Sequence, residues 1–162
     1  MSDIVTHPLP PIFDENSRIL ILGSFPSVKS REGEFYYHHP QNRFWKVISA
    51  VYGEKLPITI AEKKQLLLCH GVAVWDVIES CEITGSSDSS IREVSPTDLS
   101  IILETANISR IIANGETAYK LYMKYIYPVT GMDIAKLPST SPANAAYSLE
   151  KLIDCWNYLK TT

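Results

Sequence analysis

Three short, unbroken apolar runs limit what this chain can fold into. Residues 18–23 read RILILG, residues 72–75 read VAVW and residues 110–113 read RIIA. Each is too short for a helix and lacks polar alternation, so each is expected as a strand buried on both faces. Helical spacing appears between them. Residues 42–51, NRFWKVISAV, put Phe44, Val47, Ile48 and Val51 on one face. Residues 61–70 form a second amphipathic segment, ended by Gly71. Residues 96–105 are expected as a helix capped by Ser95 with Asp98 in its first turn. A tyrosine-rich helix over 116–125, a short fourth strand over 133–137 and a terminal helix over 143–159 complete the alternation. Residues 1–16 read as an irregular leader and residues 80–95 as a polar loop. Strand and helix alternate, which predicts an α/β class with a mostly parallel sheet and helices on both faces.

The 162 residues suit one domain, 1–162, with no internal repeat or linker. Charged residues make up 20% and hydrophobic ones 45%, an ordinary globular balance. No apolar run approaches the roughly 20 residues that span a bilayer, and the N-terminus lacks a signal-peptide core, so a cytoplasmic protein without membrane contact is expected. Cys69, Cys81 and Cys155 are odd in number and widely spaced, which predicts separate reduced thiols. The four histidines show no zinc spacing, so no metal is expected. The net charge of −3 does not point to nucleic acid. It does not exclude it either, because backbone N–H groups and helix N-termini hold phosphates without net positive charge.

Ligands of such sheets sit at the carboxyl ends of the strands. Three loops therefore matter: 23–42, 76–95 and 138–144. The first reads GSFPSVKSREGEFYYHHPQN. Gly23 and Ser24 let backbone approach a ligand, and Phe35, Tyr36 and Tyr37 offer faces on which a base can stack. The residues alone serve equally well as turn, core and helix cap, with Asn42 the cap. In the middle loop Asp76 follows an apolar strand, where it either accepts loop N–H groups or serves a site. GSSDSSI, residues 85–91, reads as solvated loop. The last loop, LPSTSPANA, is stiffened by prolines and rich in hydroxyls, with Ser139 and Ser141 as candidate phosphate donors before a helix N-terminus. GSFPS is not a hydrolase elbow, and IIANGETAYK is not a phosphate-binding P-loop.

The order and spacing of GSFPS, FYYHHPQNRFW, VWDV, GSSDSSI and LPSTSPANA resemble the uracil-DNA glycosylase superfamily, closest to its hypoxanthine branch and next to its mismatch-specific branch. The likeness runs from Arg18 to Leu159. It implies a three-layer α/β/α sandwich around a four-stranded sheet and a monofunctional glycosylase without cofactor. Such an enzyme flips a deaminated base out of double-stranded DNA, hydrolyses its N-glycosidic bond and leaves an abasic site. A monomer is implied. So are Asn42 as catalytic residue, a base pocket of Gly23, Ser24, Phe25, Tyr37 and Asp76, and DNA backbone contacts from Ser27, Ser139, Ser141 and Asn144. Tyr37 matches the residue that stacks on the flipped base. Phe25 and Leu137 stand where the other branches carry water-positioning or polar residues, which favours hypoxanthine over uracil. The Asn42 carbonyl is then expected to orient the water. The alternatives are a uracil or mismatch-specific glycosylase and a non-catalytic module that binds nucleotides or damaged DNA.

Overall fold

The computed structural model describes residues 3–161. Its centre is a parallel sheet of β2 (Ile19–Gly23), β3 (Val72–Asp76), β6 (Arg110–Asn114) and β7 (Ile134–Leu137), in the order β3-β2-β6-β7. All five residues of β2 are buried, as expected for an interior strand with helices on both faces. One face packs Ile21, Val74 and Ile112 against α2 (Phe44–Val51), α3 (Ile60–Cys69) and α7 (Leu149–Trp156). The other packs Leu20, Leu22, Ala73 and Ile111 against Leu99, Ile102, Tyr122 and Ile126. The expected three layers result. The register sets Gly23 opposite Asp76, Leu22 opposite Ala113, and Asn114 opposite Leu137, so the strand ends line up along one edge.

Four expectations are corrected. The leader is not irregular throughout. Residues Asp3–Thr6 form β1, which pairs antiparallel with β4 (Ile78–Ile83). Ile12 then exchanges hydrogen bonds with Val74 at 3.0 and 2.9 Å, covering the free edge of β3. The stretch 80–95 is not a loop either. β4 and β5 (Arg92–Pro96) form a hairpin that completes a second, antiparallel sheet in the order β1-β4-β5. Half-buried strands expose alternate polar residues, and the register shifts along this pair break the period further.

Pro96 ends β5, so helix α4 is only Ser100–Leu103, with Asp98 Oδ1 rather than Ser95 accepting the Ser100 N–H at 3.0 Å. The terminal helix begins at Leu149 and not at Ala143, with Ser148 as its cap. Between β6 and β7 the tyrosine-rich segment runs as α5 (Glu116–Leu121), a π-helical turn over Tyr122–Ile126, and α6 (Tyr127–Thr130). The short helix α1 (Val28–Gly33) lies in the first loop. The three thiols are unpaired, as expected.

Candidate active site

Gly23, Asp76 and Asn114 stand at the carboxyl ends of three neighbouring strands. A cavity of about 570 Å³ opens over them. That lies within the ordinary range for small-molecule sites, about 300–1,000 Å³. Gly23, Ser24, Phe25, Ser27, Tyr37, Asn42, Asp76, Ser139 and Ser141 all line it. Asn144 lines an adjoining groove of about 560 Å³, which shares Ser24, Asn114, Ser139 and Ser141 with the cavity. Residues 85–91 are not merely solvated, because Ser86, Ser87 and Ser89 at the hairpin tip form a wall of the cavity.

Asn42 is held in one orientation. Its Oδ1 accepts the Phe44 N–H and the Thr140 hydroxyl, both at 2.9 Å. The backbone N–H can only donate, so the oxygen and nitrogen of this amide cannot be exchanged. Thr140 is fully buried, and its hydroxyl in turn accepts from Asn114 Nδ2 at 3.1 Å while its N–H donates to Asn114 Oδ1 at 3.0 Å. The carbonyl oxygen of Asn42 thus has both lone pairs engaged, and the amide N–H groups are left for the cavity. With its two lone pairs taken, the carbonyl is the less available end of the amide for orienting a water. The group on offer is a donor.

Asp76 is buried and pairs with His7, Nε2 to Oδ2 at 2.7 Å. Its Oδ1 lies over Gly23, where a Cβ would stand only 2.4 Å away, so only glycine fits at the end of β2. Tyr37 takes a positive φ of 52°, uncommon for an aromatic residue and frequent at functional sites. One face of its ring stacks on Phe44, with centroids 4.0 Å apart. Its buried hydroxyl makes no hydrogen bond of full geometry among the described residues, although the Asn114 side chain lies beside it. Burial first, and the charge of Asp76 second, push the phenols of Tyr36 and Tyr37 far up, so both stay protonated.

Phe35 is a core residue rather than a stacking platform: it stacks on Trp45 and does not line the cavity. Tyr36 is buried, its hydroxyl donating to the Pro10 carbonyl at 2.9 Å, and it lines the cavity beside Tyr37. Phe25 is also largely buried, packed with Ile78, Cys81 and Ile83, so it adds little stacking area.

The last loop does not run straight into a helix, so the helix-dipole part of the expected phosphate clamp falls away. Its serines are nevertheless well set. Ser139 Oγ accepts the Ser141 N–H and Ser141 Oγ accepts the Ala143 N–H, each at 3.1 Å, which leaves both hydroxyl protons free to donate. Asn144 braces this loop through Nδ2 to the Ser139 carbonyl, and Ser27 caps α1 by accepting the Ser30 N–H. Arg43 holds the loop from inside: its guanidinium donates to the carbonyls of Ser141 and Asn144 at 3.0 Å and to that of Tyr147.

Sequence reasoning missed His7, Arg43, Asn114 and Thr140. Arg43 and Thr140 lay inside quoted motifs, and Asn114 closes an apolar run, a signal that could have been used. Nothing in the sequence ties His7 to Asp76. Among the described residues no cluster of His, Cys, Asp or Glu could hold a metal ion.

Comparison with known proteins places this geometry. The model of the uracil DNA glycosylase superfamily matches residues 10–160. The chain belongs to that superfamily. Two curated relatives are called hypoxanthine DNA glycosylase. The one from Methanosarcina acetivorans is 36% identical over 86% of this chain and 88% of its own length, and the one from Methanosarcina barkeri is 32% identical over 83% and 85%. A solution structure from Methanosarcina acetivorans, provisionally described as a uracil DNA glycosylase, is 30% identical. It superposes with a TM-score of 0.80 and covers 98% of this chain and 100% of that one. The glycosylase fold expected from the sequence is therefore present, with the second sheet added to it. No helix is long and apolar enough to cross a membrane.

Proposed function

We infer that this protein is a hypoxanthine DNA glycosylase. It hydrolyses the bond between deoxyribose and a deaminated purine in DNA. The observation that carries this reading is the fixed Asn42 amide, whose N–H groups face a cavity at the strand ends of a glycosylase fold. The relatives that bear the hypoxanthine name supply the substrate class.

The chemistry follows from the donor. As the C1′–N9 bond breaks, its electron pair stays with the purine and the sugar becomes cationic. A water oxygen then bonds to C1′ and loses a proton to solvent. Negative charge spreads onto the ring nitrogens and O6 of the leaving base. A fixed amide N–H aimed at that charge stabilises the transition state more than the ground state. Little activation of the water is needed, which fits Phe25 at the position where other branches carry a polar residue.

Asn42 and Asp76 together also match what deamination creates. Hypoxanthine presents an acceptor, O6, beside a donor, N1–H. Adenine presents the reverse, an amino group beside a bare nitrogen. A donor from Asn42 and an acceptor from Asp76 pair with the first edge and oppose the second, and an unpaired buried polar group costs about 1–3 kcal/mol. Tyr37 supplies the ring against which the base lies, and Ser139 and Ser141 donate to the flanking phosphates.

The test uses end-labelled duplexes carrying inosine, uracil or no lesion, incubated with excess enzyme and then cleaved with alkali. Scission at inosine, faster than at uracil and absent from the intact duplex, is expected. A uracil rate equal to or above that for inosine opposite thymine and opposite cytosine would overturn the hypoxanthine assignment. No scission of any duplex would leave only a binding module.

A further inference from the structure

We propose that His7 is a positioning residue of the base pocket. Delivered by the N-terminal strand, it holds Asp76 so that one carboxylate oxygen accepts the ring N–H of the flipped base. This rests on the reading of Asp76 given above.

The tautomer of His7 follows from its contacts. Nδ1 accepts the Leu9 N–H at 3.2 Å, so it carries no proton, and the ring hydrogen sits on Nε2 and is donated to Asp76 Oδ2 at 2.7 Å. Both side chains are 4% exposed, so water does not compete for this bond. The ring is clamped by its neighbours. Phe25 meets it edge-on at 5.8 Å and Tyr36 lies tilted at 6.0 Å. Its own backbone is fixed by the His7 N–H donating to the Glu79 carbonyl, at the end of the β1–β4 pairing.

One oxygen of Asp76 is thus taken by a donor that cannot move. The other is held over Gly23, beside the hydroxyl of Tyr37 and in the cavity wall. Without His7 the carboxylate could rotate about its last torsion and would no longer keep the plane that holds an oxygen in the cavity wall. The described leader residues do not themselves line the cavity, and they act on it through the His7–Asp76 bond.

The test combines tautomer, affinity and rate. Long-range proton–nitrogen spectra of the wild-type protein should show His7 protonated on Nε2, and an Nδ1–H tautomer would overturn the proposal without any variant. Free hypoxanthine and free adenine are then used as competitors of inosine-DNA cleavage. His7→Phe keeps the ring and removes the donor. It should lower the preference for hypoxanthine, and the single-turnover rate, by about tenfold or more, as expected for losing a hydrogen bond to a charged group. His7→Gln places an amide nitrogen near the old Nε2 and should restore most of both.

In the Asp76→Asn background, His7→Phe should cost nothing further, because its effect runs through Asp76. Multiplying losses would show a separate structural role and overturn the proposal. If Asp76→Asn leaves the preference unchanged, the base-edge reading itself fails. If Asp76→Asn alters it and His7→Phe does not, only the role of His7 falls.

Discussion

Asn42 decides whether this site acts on the leaving base or on the water, and two substitutions separate these roles. Asn42→Ala removes the donor and should abolish most inosine cleavage while costing about 0.5–2 kcal/mol of stability, as for any lost N-terminal cap contact. Asn42→Asp keeps the oxygen that accepts from Phe44 and Thr140 but exchanges the N–H groups for an acceptor. It should be as inactive as alanine in single-turnover assays. Retained activity in the aspartate variant would mean that a water is being oriented after all. Tyr37 separates ring from hydroxyl in the same way. The ring already rests on Phe44 and the hydroxyl makes no hydrogen bond of full geometry, so Tyr37→Phe should melt no lower than wild type. Tyr37→Ala should weaken cleavage further, because base stacking contributes about 1–3 kcal/mol. Equal losses in both variants would give the effect to the hydroxyl. The segment FYYHHPQNRFW, residues 35–45, pointed to Asn42 and Tyr37 as candidate site residues. It could not show which atom of the amide faces the cavity, because that depends on Thr140, 98 positions away.

Among the elements, the segment between β7 and α7 depends on Arg43. Five donors in a rigid fork let one guanidinium serve several carbonyls, which a lysine cannot do. Arg43→Lys should therefore lower stability in urea by about 2 kcal/mol, the scale of hydrogen bonds to a charged group. It should also raise the enzyme concentration needed for half-maximal cleavage, because Ser139 and Ser141 lose their frame. A lowered saturated rate at unchanged half-saturation would place the loop in the chemistry instead. The elements that carried a clean period were the ones legible beforehand. The buried runs around Ile21, Val74 and Ile112 became parallel strands, and the face of Phe44, Val47, Ile48 and Val51 became α2. Those decided by long-range pairing were not. β4 shows Glu79, Ser80 and Glu82 to a sequence reader, and only its partner β1 makes a strand of it. The start of α7 was misplaced because residues 143–148 have helical composition, while their carbonyls at Asn144 and Tyr147 are claimed by Arg43.

For the molecule as a whole, an acidic chain must bind a polyanion. With a net charge of −3, the phosphates cannot be met by a basic field. The cations near the cavity are largely committed: Arg31 donates to the Gly85 carbonyl at 2.7 Å, Arg43 is bound inward, and Lys136 pairs with Glu116. What remains for phosphate is hydroxyl and backbone N–H, which release few counterions on binding. Affinity for inosine duplex should then fall less than about tenfold between roughly 50 and 200 mM salt, as for one or two neutralised phosphates. A loss of about a thousandfold would instead require many cationic contacts. Glu116 offers a way to change this slope deliberately. It lines the groove beside Lys136 and takes hydrogen bonds and charge from that lysine and from Lys120, which hold its carboxyl below the usual range. Glu116→Gln would release Lys136 towards the DNA. Binding at low salt should tighten and the salt dependence should steepen by about one phosphate, roughly 0.9 in the logarithmic slope, with the saturated cleavage rate unchanged. An unaltered slope would mean that the released Lys136 meets no phosphate in the groove beside the cavity.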